Sequence, residues 1–539
     1  MTQWLPLTEI GPSTHLDDHL PWTIYSSPEP HDIHQGKLGD CWLMAALALI
    51  TERPQMLQHI LLTKNVNQEG VYVVRICHNG IWKAVLLDEC FPCTIDNRLV
   101  YSRAARRQLY VPLIEKACAK LFGSYASLEG GSTAEGLQLL TGAPCDRINL
   151  HPSNEMLDFD IIWAKLLSAC ESKLLIGAST GCSETNRSEY KLVGLNPNHA
   201  FTVLVAKALP VGDGRFLLVR DPHGTTDYSE ALITPSIRTY LHSIHNKMSN
   251  SSGTFWITWL SFLHYFDSIT ISTYVSNHFD IREEAQFTRS PIESVPAYYF
   301  TVSKTSLITV SLVYHRHSRK NNNQHTQSFV LCDVDEKTSN VGTKQVIFES
   351  RRGTLTYWSG SLRPGAYVII PFSVSFWKTS NDRKDERTTN YTLVIHSNIR
   401  LDGVLLNEPP TLLTDCLIAA TIKYCDQPKK THSSVLYTTP RRFDASLIVV
   451  ENQLINHYLT FNMTITEGGS ICHSRHTFRT SDCVPPRHRQ LICTLEWVHQ
   501  RDEVAYMSYV TSQQVTEGWH HAIPAIAIDQ GDLHSPRPF

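Results

Sequence analysis

Apolar residues along this chain fall into three textures. From Leu43 to Ile50 they are continuous (Leu43-Met44-Ala45-Ala46-Leu47-Ala48-Leu49-Ile50), and the run follows a glycine-containing loop, Gln35-Gly36-Lys37-Leu38-Gly39-Asp40. That texture predicts an all-apolar core helix beginning at Cys41. Helical spacing also marks Phe159 to Leu167 and the region from Ile114 to Phe122, while Val71 to Leu87 reads as a hairpin turning at Asn79-Gly80. A second texture, of short β-branched and aromatic runs at Leu174–Ala178, Phe201–Ala206 and Phe216–Arg220, predicts strands. Beyond about Asn277 the third texture takes over. Runs at Ser306–Tyr314, Ser328–Val334, Val346–Glu349, Ala366–Phe372 and Tyr391–Ser397 recur between turn-rich breaks and predict an antiparallel β-sandwich.

The predicted helix start gives Cys41 a chemical reading. Unpaired N–H groups and the positive end of a helix dipole favour the thiolate, the form of cysteine that attacks carbonyl carbon. The bland alternative is a cysteine at the start of a core helix. A cysteine nucleophile needs an imidazole that is close in space and distant in sequence. His199, in Asn196-Pro197-Asn198-His199-Ala200-Phe201, stands at the mouth of one predicted strand, and Asp221, in Arg220-Asp221-Pro222-His223-Gly224, follows the end of the next. Neighbouring strands would present the two together. The 158 residues from Cys41 to His199 are near the roughly 130–150 seen in papain-like enzymes.

Gln35 to Trp42 resembles the nucleophile segment of calpains, Asn198-His199-Ala200 resembles their histidine segment, and Arg220 to Gly224 their asparagine segment. Leu113 to Lys120, Gly123-Ser124-Tyr125, Gly130 to Gly136 and Leu140-Thr141-Gly142 resemble further parts of the calpain core. Near the far end, Ser481 to Gln490 and His534 to Phe539 resemble the C-terminal domain of the small-optic-lobes branch.

The resemblance implies an α+β chain. A papain-like two-lobe core (helical lobe 1–150, β-rich lobe 151–272) would be followed by a C2-like antiparallel β-sandwich (273–405) and a β-rich or α+β C-terminal domain (406–539). It implies an intracellular, calpain-type cysteine endopeptidase making limited cuts in protein substrates through a thioacyl-enzyme. Cys41 would be the nucleophile, His199 the base, Asp221 the orienting group and Gln35 an oxyanion-hole donor. Calcium is the implied cofactor, with Asp32 and Glu115 at two acidic positions of a first-lobe site. Read without the resemblance, these are a loop aspartate and a helix glutamate paired with Lys116 or Lys120.

The pattern departs from the family in two places. Asp221 stands where calpains have asparagine; a carboxylate still orients imidazole and stabilises imidazolium more strongly. His223 replaces a tryptophan that shields the base, and Thr225-Thr226-Asp227-Tyr228-Ser229-Glu230 replaces an acidic, Trp-rich stretch on which a second calcium site draws. The competing reading is therefore a catalytically weak or inactive calpain-fold pseudoprotease acting as a protein-binding scaffold.

Composition narrows the partners. Of the 539 residues 42% are hydrophobic and 18% charged, with net charge −3 and no sustained basic run, which argues against nucleic acid or an anionic membrane surface as main partner. There is no apolar run of membrane-spanning length and no signal-like N-terminus, and the fourteen cysteines are scattered, so a soluble cytoplasmic chain without an organic cofactor is expected. Protein partners would engage the two C-terminal domains.

Overall fold

The computed structural model describes residues 3–12, 17, 19–152, 156–181, 187–209, 214–222, 224, 226–244, 253–316, 319, 325–335, 338, 340–377, 389–468, 471–497 and 507–539. The chain divides into two compact units, Met1–Ser276 and Asn277–Phe539.

In the first unit, helix α1 (Cys41–Thr51) begins at the sulfur-bearing residue and buries every position from Trp42 to Thr51. Its packing depends on a residue without a side chain. Helix α3 (Thr133–Thr141), which follows α2 (Tyr110–Leu121), brings Gly136 so close that a Cβ there would lie 2.7 Å from Ala46 Cβ and 2.9 Å from Trp42 O. Trp42 Nε1 donates to Leu128 O at 2.8 Å, so the indole is polar-satisfied within the core. The hairpin is present as β1 (Val71–His78) and β2 (Ile81–Asp88), paired antiparallel about Asn79-Gly80.

The second lobe is a six-stranded antiparallel sheet. Its strands are β3 (Cys145–Asn149), β4 (Ile176–Thr180), β5 (Ala200–Ala208), β6 (Arg215–Arg220), β7 (Thr254–Thr258) and β8 (Phe266–Ser272), in spatial order β7-β6-β5-β4-β8-β3. Helix α4 (Phe159–Glu171), capped by Asp158, contributes Ile162, Trp163 and Leu166 to its core. The lobes meet directly: Thr202 Oγ1 on β5 donates to Ala45 O on α1 at 3.4 Å, and Arg53, just past α1, donates to Lys173 O.

The second unit is built largely of strands. One sheet orders Phe279–Gln286, Asn390–Ser397, Ser306–Tyr314 and Leu355–Leu362; another orders Val341–Arg352, Thr326–Val334, Gly365–Phe372, Val295–Val302 and Asp402–Glu408. They enclose a shared core that includes Val310, Leu312, Phe329, Leu331, Ile369 and Leu393. Because strand side chains alternate, Val330, Cys332, Val368 and Ile370 point to the opposite face of the second sheet. There they join a separate core with Leu413, Cys416 and Leu417 of α5 (Pro410–Tyr424) and with Leu447, Val449 and Leu491. A further sheet, containing Ala445–Asn452 and His488–Trp497, and the three-stranded sheet of Arg479–Val484, Tyr458–Gly468 and Met507–Thr516 contain the remaining strands between Ala445 and Thr516. Among the described residues no helix is long and apolar enough to cross a membrane.

Candidate active site

His199 precedes β5 and Asp221 follows β6, and these strands are antiparallel neighbours with Arg220 opposite Thr202. The two side chains therefore meet. His199 Nε2 lies 2.6 Å from Asp221 Oδ1, with relative exposures of only 6% and 0%. The backbone on each side is pinned. Asn198 takes a left-handed φ of 51°, a conformation asparagine tolerates, and His199 N donates to Thr180 Oγ1 at 3.0 Å while Thr180 N donates to His199 O at 3.0 Å. Asp221 N donates to Gly253 O at 2.9 Å, at a crossing where a Cβ on Gly253 would lie 2.6 Å from Gly224 Cα.

The other oxygen of Asp221 is also satisfied. Thr226 donates to Oδ2 through its backbone N at 3.1 Å and its hydroxyl at 2.8 Å. Sequence reasoning missed this residue; its only signal was a threonine five positions after the aspartate. Glu230 accepts from Thr258 N, Thr258 Oγ1 and Ser261 Oγ at 3.1, 2.6 and 2.7 Å, so it ties this segment to the end of β7 and the start of the helix Trp259–Tyr265. His223 and Thr225 lie outside the described residues. The base is nevertheless covered, with Phe201 packing edge-on to the His199 ring at 4.9 Å.

Burial alone would discharge the His199 ring. Hydrogen bonds to Asp221 and to the Cys41 thiol, together with their charges, more than offset it and push the imidazole up to about 9. Cys41, in the first turn of α1, thus lies within electrostatic reach of His199 in the other lobe. Gln35 lies in the loop that leads into α1, where Nε2 donates to Leu38 O at 2.6 Å. Gly36 is required beside it, because a Cβ there would sit 2.2 Å from Tyr101 O.

Asp32 and Glu115 take separate partners. Buried Asp32 accepts from Glu29 N at 2.9 Å, from Gln108 Nε2 at 3.1 Å and from the Arg106 guanidinium. Buried Glu115 accepts from Ser102 N and lies within reach of the carboxyl of Asp40, the residue before Cys41; burial, then the Asp40 charge, raise it well above the usual carboxylate range. Lys116 instead reaches Asp88 and Cys90 O, and Lys120 reaches Leu86 O. Calcium takes six to eight oxygens around one point. Asp32 is engaged by the Arg106 guanidinium and Glu115 lies beside Asp40, and among the described residues no group of three or more His, Cys, Asp or Glu side chains gathers as metal ligands.

A thiol at a helix start, an imidazole beside it and a carboxylate behind the imidazole form the constellation used by cysteine hydrolases. Residues 3–273 match the model of the calpain family of cysteine proteases, half of the chain, and the chain belongs to that family. Residues 420–520 match the model of the calpain-D-like C-terminal domain. Similar relatives include the calpain-type cysteine protease ADL1 of Oryza sativa subsp. japonica (28% identical, over 50% of this chain and 13% of the relative). Calpain-13 of Rattus norvegicus is 33% identical over 42% of this chain and 34% of the relative, and the calpain-1 catalytic subunit of Bos taurus is 29% identical over 50% and 40%. The chain spans well under half the length of each of these relatives.

Proposed function

We propose that this chain is a cysteine endopeptidase in which Cys41 attacks the scissile carbonyl, His199 protonates the leaving amine, and Asp221 orients the ring. The observation that carries the reading is the buried 2.6 Å bond between His199 and Asp221, on a ring whose proton affinity is raised by Asp221 and by Cys41. An imidazole raised to about 9 is protonated at neutral pH, and the attacking form of a cysteine is reached by loss of the thiol proton. The resulting thiolate forms an acyl-enzyme that water hydrolyses, with His199 then acting as base. The oxyanion would be met by the Cys41 backbone N–H and by the second hydrogen of Gln35 Nε2, the first being held by Leu38 O.

The match at 420–520 supports a place in the small-optic-lobes branch, and the nine-stranded sandwich supports the C2-like assignment. A cytoplasmic location fits the cysteines, all free among the described residues. Limited cleavage of intracellular proteins is the activity this combination favours. The scaffold alternative draws on one observation, the Gln35 amide turned onto its own loop. Labelling of Cys41 by a peptidyl epoxide, with His199→Ala as control, decides between them. Labelling that depends on His199 is expected; none under any condition overturns the protease reading.

A further inference from the structure

Asp221 has two oxygens, and Oδ1 is the one that faces the base. The residue is wholly buried, so bulk water does not reach the other, and a carboxylate oxygen left without donors in such a place is costly. The chain that follows supplies them. Gly224, at a left-handed φ of 68°, donates its N–H to Asp221 O at 3.0 Å and closes a tight turn. Past that turn the chain brings Thr226 back against the carboxyl, where its N–H and its hydroxyl both donate to Oδ2.

Thr226 is itself held from further along the chain. Two residues on, buried Tyr228 packs its ring against Phe255 of β7 at 5.0 Å, and its hydroxyl donates to Glu230 Oε2 at 3.0 Å. Glu230 is fastened in turn by Thr258 and Ser261. Between these points the backbone presses on Gly194, where a Cβ would lie 2.4 Å from Asp227 O. Phe255 also meets Phe201, the ring that packs on His199, so carboxyl and base share one support. Against this frame the freedom left to Asp221 is rotation of its carboxyl about Cβ–Cγ, and the two donors of Thr226 remove it.

We propose that Thr226 is a positioning residue for the catalytic pair: by holding Oδ2 it keeps Oδ1 aimed at His199 Nε2 and keeps Asp221 ionised, while the anchor at Tyr228 and Glu230 keeps Thr226 in place. Donors to a carboxylate favour its charged form, so one residue serves both orientation and charge. The proposal rests on the protease reading for its catalytic meaning. The charged groups that bear on the pair, Cys41 at the start of α1 and Arg220 beside Asp221, stay unchanged in every variant of the test.

The test uses the full chain with Thr226→Val, which is isosteric and removes the hydroxyl donor, and Thr226→Ser, which restores it. Glu230→Gln and the double variant Thr226→Val/Glu230→Gln complete the set, each checked for folding by circular dichroism. Labelling of Cys41 by the peptidyl epoxide is followed by mass spectrometry against epoxide concentration and against pH. Thr226→Val should lower the limiting rate about tenfold, the scale of one hydrogen bond to a charged group. The half-saturating concentration should not change, because Thr226 is buried behind Asp221 and does not meet the substrate. The alkaline limb should move up by roughly half a pH unit, since a carboxylate with one donor fewer draws more of its compensation from the imidazolium. A merely loosened fold would admit water and move that limb down. Thr226→Ser should return the rate to within about twofold of wild type. Glu230→Gln should slow labelling by itself and add little to Thr226→Val, because both act on the same oxygen. A wild-type rate and limb in Thr226→Val, a limb that moves down, or losses that multiply in the double variant overturn the proposal. Where Thr226→Val fails to fold, Thr226→Ala read against Thr226→Ser decides. Absence of epoxide labelling in the wild type sinks the protease reading instead. The titration of His199, followed by NMR with isotope-labelled histidine and assigned through His199→Ala, then reports the hold on Asp221 by the same upward shift in Thr226→Val.

Discussion

Asp221 and Glu115 are carboxyl groups with almost the same burial, 0% and 1% exposed, in the two lobes of one unit, and their surroundings treat them in opposite ways. Asp221 meets an imidazole and two donors from Thr226, so its charge is compensated on both oxygens. Glu115 meets one backbone N–H and a second carboxyl, Asp40, so burial and a like charge favour its protonated form. The difference shows that depth does not decide what a buried acid does; the number of donors around it does. It also separates two jobs near Cys41. One carboxylate holds the His199 imidazole, and the other lies beside the acid that precedes Cys41.

The largest effect should come from removing the compensated charge. Asp221→Ala leaves His199 without its orienting partner, and kcat/KM on a peptide substrate should fall about 10²- to 10⁴-fold, measured with a fluorogenic peptide. A loss below tenfold would erase the contrast with Glu115. Next is Glu115→Ala, which strands Asp40 in the core and should cost about 1–3 kcal/mol in urea unfolding, whereas Glu115→Gln, which keeps a neutral hydrogen-bonding partner, should be close to neutral. Equal costs for the two variants would show that Glu115 is ionised in the native state.

Asp221→Asn should retain activity within about tenfold while moving its pH dependence. In the wild type, His199 binds its proton more tightly folded than unfolded, so this contribution to stability and the ion pair are present in full below about pH 6.5 and are lost as pH rises through about 9. With asparagine, the alkaline limb of Cys41 labelling should shift to lower pH. A limb that stays near 9 would assign the shift to the thiol instead. The smallest effect is expected from calcium. With Asp32 paired to Arg106 and Glu115 driven toward its protonated form by burial and the Asp40 charge, calorimetric titration of the chain should be flat and labelling unchanged by the ion; a calcium-dependent rate would show that these surroundings rearrange.

Cys41, His199 and Asp221 were readable because each stands where a loop meets a helix or strand, and those junctions leave marks in hydrophobic texture. Neighbouring strands then bring His199 and Asp221 together by topology alone. The residues that finish the site carry no such mark. Thr226 becomes a donor only through the turn at Asp221, and Asp40 finds Glu115 across seventy-five positions of chain. In the sandwich, Ser306–Tyr314 was legible to the residue, but Asp402–Glu408, exposed or half-buried throughout, carries its apolar residues as one short run, Val404-Leu405-Leu406, without the alternation that announces an edge strand. The apolar continuity of Ser328–Val334 announced a strand without revealing why it has no polar face: one face packs in the sandwich, the other under α5.

That two-sided strand has a consequence for how the second unit can be cut or inherited. A polypeptide ending after Glu408 would retain every strand of both sandwich sheets, yet Val330, Cys332, Val346, Phe348, Val368 and Ile370 would lose the cover supplied by α5 and the strands beyond it. Such a fragment presents a greasy sheet to water and should be recovered from expression as aggregate, while limited digestion of the intact chain should release residues 277–539 as one resistant piece. Evolution faces the same arithmetic: the sandwich here is not a cassette that recombination can trade away from its C-terminal neighbour.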